Sequence, residues 1–99
     1  MSKRDLFVEN LKRKLDGWNA ELDRLEAKAD AIDAQSRERY RTTVQEVKEQ
    51  VQQLENKYLV LKNSTADAWQ DLKSGFELAW QDFEAGAKAA LKKVTGNKY

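Results

Sequence analysis

The side chains in this sequence best suited to chemistry are carboxylates. Asp23, Glu26, Asp30 and Asp33 lie close together, and the last three share roughly one side of a helix. A hard divalent cation or a general acid–base pair would draw on such a group. Carboxylate centres in helical bundles also use a Glu-x-x-His element, and this chain contains no His and no Cys. Imidazole bases, thiolate nucleophiles, disulfides and the usual zinc sites are thereby excluded. Charges seldom leave water unpaired, so these acids read as a solvated face. No catalytic, cofactor-binding or metal-ligating residue is assigned, no cofactor is expected, and the chain is expected not to be an enzyme.

Two basic groups suggest phosphate contact: Lys12-Arg13-Lys14, and Arg37, Arg39 and Arg41 around Tyr40, whose ring could stack on a base. Acidic residues interleave with both, and the net charge is +1. Nucleic acid is disfavoured as a partner, and ion pairing accounts for the pattern. Trp18, Trp69 and Trp80 could line a pocket or enter a membrane interface. Their spacing along apolar stripes instead reads as core.

The elements carrying these residues are helices. With no Pro, four Gly and 35% charged residues, the 99-residue chain has few helix breakers. Apolar residues at Val8, Leu11, Leu15, Trp18, Leu22, Leu25, Ala29 and Ile32 are spaced alternately three and four apart, a heptad a/d stripe. Ser2 and Asp5 make a plausible N-terminal cap. The stripe then slips in phase and resumes at Tyr40, Val44, Val47, Val51, Leu54, Tyr58 and Leu61. Through Ile32, Ser36, Tyr40 and Val44 the spacing is four each time, a local 11-residue pattern that a continuous helix can carry. Asp33 and Arg37 would form an i,i+4 pair across the slip. The alternative is a turn, with Thr43 and Glu46 capping a new helix.

Asn63-Ser64-Thr65 is clearer punctuation, with Ser64 and Asp67 matching a capping box. The next helix carries a tandem 11-residue repeat: AWQDLKSGFEL over 68–78 and AWQDFEAGAKA over 79–89. Its apolar stripe is Trp69, Leu72, Phe76, Trp80, Phe83, Ala87, Leu91 and Val94, and it should fray at Thr95-Gly96-Asn97. A turn at 63–64 would set the pairs Trp69–Tyr58, Leu72–Leu54, Phe76–Val51, Trp80–Val47, Phe83–Val44 and Ala87–Tyr40, with large side chains facing small ones. Gly75 and Gly86 each cost about 1 kcal/mol relative to Ala in a helix, which suggests close approach of another backbone along their side.

The expected fold is all-α: one coiled-coil-type helical domain over 1–99, with a long helix of about 3–62 antiparallel to a helix of about 65–94 in a homo-oligomer. The alternative is a monomeric three-helix bundle turning near 34–42. The self-association or core set is Val8, Leu11, Leu15, Trp18, Leu22, Leu25, Ile32, Tyr40, Val44, Val47, Val51, Leu54, Tyr58, Trp69, Leu72, Phe76, Trp80 and Phe83. With no signal-peptide-like start and no stretch of ~20 apolar residues, the expected location is the cytoplasm.

The opening MSKRDLFVENLKRKLDGWNAELDRLEAKAD and the segment Ser64–Trp80, of the form SxxDAWxDLKxGxExAW, resemble a family of small bacterial coiled-coil stress-response proteins. The resemblance implies a cytoplasmic bacterial protein linked to stress, and it supplies no catalytic residues and no defined ligand. The 11-residue repeat is also similar in style to apolipoprotein-like lipid-binding helices. The expected function is a self-associating helical scaffold or adaptor in a stress response, with other proteins as further partners. The alternative is a peripheral protein that meets a membrane surface through Trp69, Phe76, Trp80 and Phe83.

Overall fold

A computed structural model describes residues 2–96, of which three helices make up nearly all. Helix α1 spans Lys3–Ala27 and starts at a capping box. The Ser2 hydroxyl accepts the Asp5 N–H at 3.1 Å, and the Asp5 carboxylate accepts the Ser2 N–H at 3.4 Å. Helix α2 spans Ala34–Lys62 and helix α3 spans Ala66–Thr95. No strand occurs among the described residues. Gly96, at φ +83°, ends α3 with backbone that L side chains rarely adopt. Thr95 is still helical, and Asn97 lies outside the described residues.

The continuous helix expected over 3–62 does not form. After α1 the chain makes a single 3₁₀ turn at Ala29–Ala31, then Ile32 (φ −88°, ψ 144°) and Asp33 (φ −49°, ψ 144°) adopt extended ψ and reverse its direction. This break precedes the 34–42 region expected for a turn, and Thr43 lies well inside α2 rather than capping it. Side-chain bonds from the first turns of α2 hold the reversal. Arg37 donates to the Ile32 carbonyl at 3.0 Å and the Asp30 carbonyl at 3.5 Å. Tyr40 Oη donates to the Leu25 carbonyl at 2.7 Å, a second donor to a carbonyl that also accepts the Lys28 N–H at 3.1 Å at the end of α1. Arg41 pairs with Asp30 at 2.9 Å. The expected Asp33–Arg37 pair is thus replaced by backbone contacts. The second connection shifts by one residue: Thr65, not Ser64, caps α3 by accepting the Ala68 N–H at 3.3 Å, while Ser64 Oγ donates to the Leu61 carbonyl.

The result is a rod of 52 × 20 × 20 Å, with α2 antiparallel to both neighbours. Because α1 folds back, its stripe is covered within the chain and needs no second copy. Leu22, Leu25, Val44, Val51, Leu61 and Leu91 are among the most deeply buried side chains, and no polar or charged residue is buried among the described residues. The parallel pair α1 and α3 is held differently from the other two. Among the described residues no Cα of α1 lies within 8 Å of a Cα of α3. Rings fill the space instead: Phe7 meets Trp69 edge-on at 5.8 Å, and Trp18 meets Phe83 edge-on at 5.0 Å. Arg4 lies 4.5 Å above the Trp69 ring and donates to the Ser64 carbonyl at 2.6 Å, tying the N-terminus to the second turn.

Candidate functional site

The structure disperses the polar clusters that suggested chemistry. Asp23 and Glu26 both pair with Lys48 of α2, at 3.1 and 2.9 Å. Asp30 turns to Arg41, and Asp33 precedes α2 without a side-chain capping bond. No group of three or more acids able to hold a metal ion occurs among the described residues. The basic groups are divided in the same way. Lys12 pairs with Asp16 at 3.3 Å and Arg13 approaches Glu9 at 4.0 Å. Lys14 lies 5.7 Å over the Trp80 ring, and Arg37 and Arg41 hold the first turn.

Every member of the expected core set lies in the core or against it. Leu11, Leu15, Leu22, Leu25, Tyr40, Val44, Val47, Val51, Leu54, Tyr58, Phe76, Trp80 and Phe83 are buried. Val8, Trp18, Ile32, Trp69 and Leu72 are half-buried and pack on them. Of the candidate lipid face, Phe76, Trp80 and Phe83 are therefore turned inward, and Trp69 is covered by Phe7 and Arg4. No helix is long and apolar enough to cross a membrane among the described residues.

Two groups, the buried Tyr40 and the half-buried Lys48, are perturbed. Burial pushes the Tyr40 phenol upward, with Arg24 opposing and Glu21 adding to the effect. Lys48 is raised by its bond to Glu26, against partial desolvation, and Asp23 adds to the rise. Both are structural consequences of packing. Arg4, Phe7, Asn19 and Lys48 carry contacts that the sequence does not announce. Asn19 donates to Glu55 of α2 at 2.9 Å, and such partners, far away along the chain, leave no local spacing signal.

Among the open grooves along the rod, the one between α2 and α3 carries the glycines of the repeat. One part, of about 400 Å³, is lined by Asn56, Lys57, Val60, Asp71, Leu72, Gly75 and Phe76. A second part begins at Lys57 and runs past Ala79 and Asp82 to Gly86. A Cβ added to Gly75 or Gly86 would meet nothing within 4 Å. The close approach expected at these glycines therefore does not occur inside the chain. Val60 on the groove wall is 59% exposed. Lys57 and Asp71 face the groove from opposite walls and belong to no ion pair among the described residues. No protein-family model matches the chain, and no curated protein or solved structure matches it either.

Proposed function

We propose that this chain is a non-enzymatic helical scaffold that self-associates through the groove between α2 and α3. The observation that carries the reading is the pair Gly75 and Gly86, two helix-interior glycines whose Cβ positions open onto that groove with nothing to fill them. Glycine there lowers helix stability, and in the single chain nothing offsets the loss. A second copy seated against the groove would use the space, cover Val60 and set Lys57 of one copy opposite Asp71 of the other, as a two-fold contact allows. The resemblance of residues 1–30 and Ser64–Trp80 to stress-response proteins suggests a bacterial, cytoplasmic setting for such a scaffold.

The test is the solution mass over a concentration series, for the natural sequence and for Gly75→Leu with Gly86→Leu. The reading expects multiples of the 11.5 kDa chain that fall to the chain mass in the variant. A mass of one chain at every concentration would sink it.

A second reading, peripheral lipid binding, is favoured by one feature. The α1–α3 seam has no close backbone approach, so it is where the bundle would part to present Phe76, Trp80 and Phe83. Its signature is a shift of Trp emission on anionic vesicles.

A further inference from the structure

The turn between α1 and α2 lies within a stretch that suits an uninterrupted helix. Residues 27–34 read Ala-Lys-Ala-Asp-Ala-Ile-Asp-Ala, with neither Gly nor Pro. No non-glycine residue among the described ones has positive φ. Lys28 keeps right-handed helical angles (φ −84°, ψ −5°), and Ala29–Ala31 form a 3₁₀ turn, so the reversal depends on the extended ψ of Ile32 and Asp33. Rotating those two ψ angles would join α1 to α2.

The apolar pattern is compatible with that joining. At about 100° per residue on a straight helix, the core residues from Leu11 to Leu61 fall within an arc of about 120°. Leu22 and Leu25 before the turn therefore share a face with Tyr40, Val44 and Val47 after it. A hairpin does not require this, because its two helices can be rotated independently about their axes. A continuous helix facing one partner does require it.

We infer that the chain exchanges α1 between two copies: the 28–33 turn straightens, and α1 of each copy packs on the α2–α3 hairpin of the other. The inference takes from the self-association reading only that the partner is a second copy, and it stands on the turn rather than on the groove. In the exchanged dimer the contacts of α1 are remade across the two chains, including the Phe7–Trp69 and Trp18–Phe83 ring pairs. Residues 28–33 of each chain join the α-helix. The contact of Arg37 with the Ile32 carbonyl is lost, since that carbonyl joins the helical ladder. Exchange of an identical element is a low-cost route to a dimer, and the balance between the two forms is set by concentration and by the turn.

Ala34→Pro separates the two forms. Ala34 is the first residue of α2, where Pro is favoured and the missing N–H breaks no helical bond. Residue 33 already has the extended ψ that a following Pro demands. In a continuous helix the same Pro sits mid-helix, so its dimerisation constant should fall by at least about a hundredfold.

The chain has no Cys, so Asn19→Cys with Glu55→Cys can be bridged by a short bis-maleimide across the α1–α2 contact. The protein is first warmed and slowly cooled at high concentration. A closed chain links to itself, and an exchanged dimer links chain to chain. The expected result is a concentration-dependent interchain product that Ala34→Pro removes while helicity is kept. Should Ala34→Pro lose helicity, Arg37→Ala decides: it frees the turn and should raise the interchain fraction, and no rise overturns the inference. Solely intrachain links at every concentration also overturn it. If that result comes with a dimeric mass that Gly75→Leu abolishes, groove association survives and exchange does not. A mass of one chain throughout removes both.

Discussion

Gly75 and Gly86 are helix-interior glycines whose missing methyl group leaves open space. A methyl group at either position would meet nothing within 4 Å, so only helix propensity acts. Gly75→Ala and Gly86→Ala should each raise the stability of the isolated bundle by about 0.5–1 kcal/mol, measured by urea unfolding at low concentration. The same changes should weaken association, if the groove is where a second copy sits. A variant that gains stability with assembly intact would show that the glycines serve no contact. Tyr40 is the converse case, fully committed inside the fold: it is 2% exposed, and its hydroxyl reaches the Leu25 carbonyl at 2.7 Å. Tyr40→Phe should cost about 1 kcal/mol, the usual net value of a hydrogen bond. Tyr40→Asp buries an unpartnered charge and should cost several times more. Equal midpoints for the two variants in thermal unfolding would contradict the buried position of this side chain.

At the scale of elements, the two connections differ in how well sequence pattern reveals them. Asn63-Ser64-Thr65 interrupts α2 and α3 with polar capping residues, and the structure moves the cap only from Ser64 to Thr65. The three apolar stripes are equally readable, because heptad spacing reports one buried face whichever partner covers it. For that reason it does not reveal whether Val8–Ile32 packs on its own chain or on another. The 28–33 turn is hidden because its residues favour helix, and what holds it reaches in from Arg37, Tyr40 and Arg41. The groove was half legible: the repeat marks Gly75 and Gly86, but its opposite wall, at Lys57 and Val60, depends on how α2 and α3 are oriented.

The link between α1 and α2 also predicts a response to pH. Lys48, held by Glu26 and Asp23, has its pKa raised above the ordinary 10.5. The Tyr40 phenol, held neutral mainly by burial, is raised above 10.0. In both cases the unfolded chain releases its proton first as pH rises. The stability these groups contribute is complete below the unfolded values and is lost as pH climbs through the folded ones. Urea midpoints should therefore fall as pH rises through and above the ordinary values of 10.0 and 10.5. Lys48→Met should shrink that fall, and should also lower stability at neutral pH by about 0.5–1 kcal/mol, as for a partly solvated ion pair. Midpoints that hold steady across the alkaline range would mean that these contacts do not persist in solution.

For the whole molecule, the distribution of aromatic rings decides between a scaffold and a membrane-seeking protein. The rings concentrate at the α1–α3 seam, where Phe76 and Trp80 stack with centroids 6.5 Å apart and Phe83 contacts both Trp80 and Trp18. A bundle that remains closed keeps Trp80 in an apolar setting, so its emission is already blue-shifted and anionic vesicles leave it unchanged. A bundle that opens exchanges protein contacts for lipid at the same rings, and the change appears as movement of Trp emission together with loss of the α1–α3 ring contacts. The two outcomes are resolved by Trp80→Ala. Truncating this buried ring should cost about 3–5 kcal/mol in a scaffold, lowering the thermal midpoint and with it the mass of any assembly, while vesicles have no effect. In a membrane binder, the same truncation lowers the cost of opening the seam, so that vesicle binding begins at lower lipid concentration. A core with Phe76, Trp80 and Phe83 buried in it, and with no charged residue buried among the described residues, favours the first result. Measuring the Trp80→Ala midpoint with and without vesicles distinguishes them, because only the second requires lipid to raise the stability of the weakened chain.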